Sequence, residues 1–201
     1  MHLKFLAAGL LLGMVTGAVL ADTAPPIRIR ATIDAVEPQA LALTTRDGSR
    51  IEVKLNDALT ILTVKNVPLE SIASNAYVGI ATRSGAEGKP EAIEVLVFPE
   101  SMRGAGEGNY SWDLESGSMM TNGSVTAVAQ GVRGRELSVA YKGQSVDILV
   151  PPEAAVVTFV AAERADLKPG ERVFLSATKG ADGALTTGRV VVSKNGVAPP
   201  M

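Results

Sequence analysis

The 201-residue chain has no cysteine, one histidine and one tryptophan, and only 4% of it is aromatic. Each scarcity excludes something. Without cysteine there is no disulfide framework and no lipid-carrying N-terminal cysteine, so stability must come from packing. The single histidine, His2, lies in an N-terminal segment expected to be removed. Ser-His-Asp and Cys-His catalysis, the commonest general base and nearly every zinc site leave with it. An excess of one charge is also missing: 19 Lys and Arg face 21 Asp and Glu, a net of −2. A weakly acidic chain poor in aromatics suits nucleic acid badly, because such binding leans on phosphate neutralisation and base stacking.

What is present starts with Lys4 and the apolar run "FLAAGLLLGMVTGAVL" (Phe5 to Leu20), followed by Ala21. Val19 and Ala21 stand where signal peptidase wants small side chains. Residues 1–21 therefore read as a secretory signal peptide, the run being short for a membrane span and lacking a basic stop-transfer flank. No second run approaches spanning length, so a soluble, monomeric periplasmic or secreted protein of a Gram-negative bacterium is expected.

Alternation dominates the rest. In "IRIRATIDAV" (Ile27 to Val36), Ile27, Ile29, Ala31, Ile33 and Ala35 share one face. Arg28, Arg30, Thr32 and Asp34 mark the other face, read as the wet side of a strand. "LALTTRDGSRIEVKL" (Leu41 to Leu55) reads as a hairpin turning at Asp47–Gly48. The same grammar returns about 95 residues later, as structural repeats require. "TIDAV" (Thr32 to Val36) matches "SVTAV" (Ser124 to Val128), and the hairpin matches "LSVAYKGQSVDILV" (Leu137 to Val150), turning at Lys142–Gly143. "ALTILTV" (Ala58 to Val64) matches "AAVVTFV" (Ala154 to Val160), and "SIASNAYVGIATRSGAEG" (Ser71 to Gly88) matches "DLKPGERVFLSATKGADG" (Asp166 to Gly183).

The pattern predicts an all-β protein of two tandem small Greek-key, OB-like β-barrels with short helical segments near 68–73 and 164–169. A plain β-sandwich is the alternative. Repeat 1 is expected over 27–98 and repeat 2 over 122–194. A proline-containing tail (22–26) precedes them, a strap (99–121) joins them, and a tail (195–201) follows. The stretches "ATIDAV…LALTTRDGSRIEVKL…YVGIATRSGAEGKPEAIEV" and "GEGNYSWDLESGSMMTNGSV" resemble an exported proteobacterial family of domains of unknown function with tandem OB-like barrels. The resemblance covers essentially the whole mature chain and implies a fold, not a chemistry.

Little in the sequence points to a chemistry. Two carboxylates would suffice for glycoside hydrolysis, but Glu107 and Asp113 read first as solvated loop charges. "GAGEG" (Gly104 to Gly108) lacks the lysine-serine or strand-to-helix context of a phosphate loop. "TRDGSRIE" (Thr45 to Glu52) lacks the alternating oxygen ligands of a calcium loop. Met102, Met119 and Met120 are soft ligands that could serve Cu(I); otherwise they fill gaps in an apolar junction. The strap carries the remaining candidates, Tyr110, Trp112, Asp113 and Leu114. Its Trp112 and Leu114 alternate like residues with an apolar surface to cover. Trp112 is expected to dock as an inter-domain clasp, or else to anchor a ligand or partner.

The leading expectation is a non-enzymatic binding or structural module, without cofactor, whose partner is a protein or a small envelope ligand. An accessory role in metal handling or envelope stress stands second, and a carboxylate-based hydrolase third.

Overall fold

Strands form almost wherever the sequence alternates. The computed structural model describes residues 25–199, so the expected signal peptide, residues 22–24 and the last two residues lie outside it. The strands are β1 (Ile27–Glu37), β2 (Ala40–Thr45), β3 (Arg50–Asn66), β4 (Tyr77–Ser84), β5 (Pro90–Val97), β6 (Gly108–Ser111) and β7 (Met119–Gly131). They continue as β8 (Gly134–Tyr141), β9 (Gln144–Val150), β10 (Ala155–Ala161), β11 (Arg172–Lys179) and β12 (Leu185–Val192). The two expected helical pieces are single three-residue turns, Leu69–Ser71 and Arg164–Asp166. Among the described residues no helix is long and apolar enough to cross a membrane.

Both expected hairpins are present. Gly48 takes φ +84°, and the second hairpin turns through Lys142 (φ +44°) and Gly143 (φ +74°). Positive φ at both central residues matches the right-handed twist of the flanking strands.

The pairing of the strands departs from a simple tandem order. β1, β2 and β3 form a meander, and β1 then pairs with β11 and β3 with β12 in parallel, closing a five-stranded barrel. A sandwich is thereby excluded for this part. The second ring is built reciprocally: β7, β8 and β9 form the meander, while β4 pairs with β7 and β5 meets β9 at Glu91–Leu149. The ranges 27–98 and 122–194 are therefore not each a closed unit, because each half lends its last two strands to the other.

The exchange has a visible carrier. β3 is 17 residues long, roughly 55 Å at 3.3 Å per residue, more than one small barrel needs. Its far end runs beside β10, with Val64 opposite Phe159, and β10 also pairs in parallel with β5. Chain leaving the first barrel along β3 thus arrives at the second ring, and β10 leads back. In the second half the corresponding strand is broken between β9 and β10 by Pro151–Pro152, which cannot donate to a ladder.

Three apolar clusters result. Ile33, Leu41, Leu43, Val53 and Leu175 fill the first barrel. Ile80, Val95, Leu137, Val139 and Ile148 fill the second ring. Between them lies a junction cluster of Val64, Leu96, Met120, Val157, Phe159 and Val191, against which Phe98, Met102, Tyr110, Trp112, Leu114 and Phe174 pack.

Candidate functional site

The strap reaches this junction by way of β6, which pairs antiparallel with the start of β7 so that Tyr110 faces Met120. Residues 119–121 consequently belong to a strand and not to a free connector. The turn beyond β6 is tied at Ser118. The Trp112 backbone N–H donates to the Ser118 carbonyl at 2.8 Å. The buried Ser118 hydroxyl lies 3.1 Å from the Trp112 carbonyl and 2.8 Å from that of Glu115. Trp112 is thus presented on a short, closed loop.

Its ring is half-buried and meets both halves of the chain. Phe174 on β11 lies 6.2 Å away, tilted by 50°, and Tyr110 lies edge-on at 6.0 Å. The Arg28 guanidinium sits 4.1 Å above the Trp112 ring and that of Arg30 at 5.4 Å, distances at which the cation is attracted to the π face. Asp113 completes the contact, 2.6 Å from Arg30 and 4.0 Å from Arg28. Burial pushes the Asp113 carboxyl up, but the hydrogen bond and charge of Arg30 outweigh it and hold it below the ordinary value. The reading of Arg28 and Arg30 as a merely wet face needs correcting: the Arg30 side chain is only 8% exposed.

Beneath the strap lies a cleft of about 390 Å³ lined by Leu96, Phe98, Met102, Tyr110, Phe159 and Phe174, with Trp112, Asn122, Arg28 and Arg189 at its polar points. Phe98 meets Phe159 edge-on at 5.9 Å and Tyr77 at 5.4 Å. Asn122 donates to the carbonyls of Ala105 (3.3 Å) and Gly106 (3.1 Å) and to the Tyr110 hydroxyl (3.1 Å). The two carbonyls accept only, so they fix which end of the amide is nitrogen. Its Oδ1 is left buried without a partner, as is the Trp112 Nε1. Burial raises the Tyr110 hydroxyl above its ordinary value, partly opposed by the charge of Arg28, so this group is neutral near pH 7.

Gly79 makes the opening possible. It pairs with Asn122, and a Cβ there would lie 2.6 Å from the Asn122 Oδ1 and 3.0 Å from the Phe98 ring. In the first barrel the corresponding pair is Phe174 with Arg30. One ring therefore presents an aromatic where the other presents a gap.

Of the strap residues, Tyr110 and Trp112 line the cleft, Leu114 packs on the junction cluster, and Asp113 is engaged by arginines. The three methionines do not share one face. Met119 and Met120 are consecutive in β7 and so point to opposite faces; Met120 is fully buried and Met102 packs on the same junction cluster. Glu107 accepts the Lys142 backbone N–H at 2.8 Å and Asp113 is bound to Arg30, which places the two carboxylates in unrelated roles. Among the described residues no cluster of three His, Cys, Asp or Glu is placed to hold a metal ion. Sequence reasoning missed Phe98, Phe159, Phe174 and Asn122, each an ordinary member of an alternating strand or its end. The one signal was the scarcity itself, since most of the chain's few aromatics converge here. No protein-family model, curated protein or solved structure matches the chain.

Proposed function

We propose that the chain is an exported, non-enzymatic binding module of two OB-type barrels that takes a small aromatic or amphipathic molecule in the cleft under Trp112. The observation that carries this reading is the cleft itself: it falls within the usual size of a small-molecule site, is mainly apolar, and holds a few convergent polar groups. Trp112 Nε1 offers an unused donor and Asn122 Oδ1 an unused acceptor. A hydroxyl both donates and accepts, which is the chemistry these two groups lack.

The OB assignment rests on strand order. The first barrel runs first, second, third, fifth, fourth strand, with the third and fifth in parallel, as in that Greek-key barrel. The second ring has the same order once its meander β7–β9 is counted first, because β4 and β5 precede it in the chain. Duplication is supported by matching irregularities. β1 bulges between Ile33 and Ala35, and β7 between Val125 and Ala127. The Ile33 carbonyl accepts from Gly170 and its N–H donates to Glu171, while the Val125 carbonyl accepts from Asn75 and its N–H donates to Ala76. Gly170 (φ +90°) and Asn75 (φ +70°) share the left-handed conformation at this point.

Trp112 is the chain's only tryptophan, so its emission reports directly on the cleft. Titration with indole, 4-hydroxybenzoate, glucose and N-acetylglucosamine, followed by emission and melting temperature, tests the reading. A saturable change that Tyr110→Ala abolishes is expected for at least one aromatic probe. Flat emission and unchanged melting across the panel would leave Trp112 as a structural clasp between the barrels, a reading its contacts with Arg28, Arg30 and Phe174 also favour.

A further inference from the structure

A second, smaller cavity lies on the outer face of the first barrel. It holds about 180 Å³ and is lined by Arg30, Thr32, Thr44, Thr45, Arg46 and Arg172, with Phe174 and the tail residues Ala198 and Pro199 as apolar walls. The register explains why three arginines converge. Arg30 pairs with Phe174 and Thr32 with Arg172 across β1 and β11, while Thr32 pairs with Thr44 across β1 and β2. Side chains at these positions share the outward face, and Arg46 follows directly on β2.

The charge around the cavity is lopsided. No carboxylate lines it. Asp113 takes the Arg30 Nη1 at 2.6 Å, and Asp34, further along β1, accepts the Thr44 hydroxyl at 2.7 Å. Partial desolvation of the exposed Arg46 side chain, and then the neighbouring charges of Arg30 and Arg172, pull it below the ordinary arginine value against the opposing effect of Asp113. The remaining nitrogens of Arg30, Nε and Nη2, are buried with no hydrogen-bond partner on a side chain more than nine-tenths buried. A buried charged donor left unpaired is costly. The Phe174 and Trp112 rings, 5.0 and 5.4 Å from this guanidinium, offset part of that cost, and an acceptor reaching it from the cavity would remove the rest. Thr44 and Thr45 already donate to Asp34 and Asp47, so the guanidinium groups carry the recognition.

We propose that this cavity is an oxyanion site in which Arg30, Arg46 and Arg172 bind one phosphate-like group. Arginine suits the task because its planar fork donates two parallel hydrogen bonds to such an anion. Arg30 supplies the fixed, desolvated donors, while Arg46 and Arg172, both exposed, close on the anion from the rim. The size admits one tetrahedral oxyanion and excludes a nucleotide, though the open rim leaves room for an ester substituent to project outward. This site shares only the Phe174 wall with the aromatic cleft and stands or falls independently of the function proposed for it.

Calorimetry and melting temperature, with inorganic phosphate titrated against sodium chloride at constant ionic strength, test the proposal, since screening alone follows ionic strength and not anion identity. The expected result is saturable phosphate binding with a raised melting temperature. Arg46→Gln combined with Arg172→Gln should weaken it at least tenfold and leave the phosphate-free melting temperature unchanged, because both side chains are exposed. Glycerol phosphate binding as well as phosphate identifies a terminal phosphate of a larger molecule as the occupant; binding of phosphate without the ester identifies the free ion. A response no greater than the chloride control, or one that survives in the double variant, overturns the proposal.

Discussion

Replacing Trp112 with alanine tests whether the strap clasps the first barrel to the second ring. Truncating a fully buried tryptophan costs about 3–5 kcal/mol, and Trp112 is half-buried, so the lower end applies. Within that figure, two guanidinium contacts at 4.1 and 5.4 Å contribute about 0.5–1 kcal/mol each. The ring pairs with Phe174 and Tyr110 contribute about 0.5–1.5 kcal/mol each. One term acts in the other direction. The indole N–H is buried without a partner, which costs the folded protein about 1–3 kcal/mol and disappears on mutation. The expected net loss is about 2 kcal/mol. With a urea slope of about 2 kcal/mol per molar, the unfolding midpoint should fall by about 1 M. Far-UV circular dichroism is the assay, because the variant has no tryptophan. Trp112→Phe should cost less than about 1 kcal/mol, since it keeps a ring and removes the unpaired N–H. A midpoint unchanged by alanine would refute the clasp, and equal losses for both variants would refute the account of the ring contacts.

Two further outcomes follow from the same contacts and from the exchange of strands. Asp113 is held below its ordinary value by Arg30, so its stabilising effect is complete above the unfolded carboxylate value near 4 and disappears as pH falls through the folded one. Trp112 emission should therefore shift on acidification below about pH 4, and Asp113→Asn should show the acid-state emission already at pH 7; identical profiles would contradict the ion pair's role. Separately expressed pieces covering residues 25–104 and 105–199 each lack the closing hairpin of their own meander's barrel. Each should give poorly dispersed amide spectra alone and a folded spectrum on mixing, whereas independent folding of both pieces would show that the exchange is not obligatory.

Apart from β6 and the first residues of β7, which fall in the expected strap, the strands, both hairpin turns and the two short helical turns were legible because each is dictated locally. Alternation sets which face is buried, and Asp47–Gly48 and Lys142–Gly143 fit their turns whatever lies beyond them. Trp112 was legible as a docked residue because an aromatic in a connector needs a surface to cover. Its consequences were not. Arg28 and Arg30 sit in perfect alternation with Ile27 and Ile29, and alternation says only that they face away from the barrel interior. That this outer face is itself covered, by Trp112 and Asp113 arriving from more than eighty residues away along the chain, is a tertiary fact.

The same limit governs the barrels. Alternation specifies buried faces and not partners, so nothing in β4–β5 or β11–β12 taken alone assigns either pair to one meander. Sequence by itself determined the strands, their inward faces and their turns. Only the tertiary structure decided the partners, through the long β3, which carries the chain past its own barrel, and the Pro151–Pro152 break, which lets β10 run back beside it. From that exchange come the junction between the rings, the aromatic cleft within it, and the convergence of Arg30, Arg46 and Arg172, which requires β11 to lie beside β1.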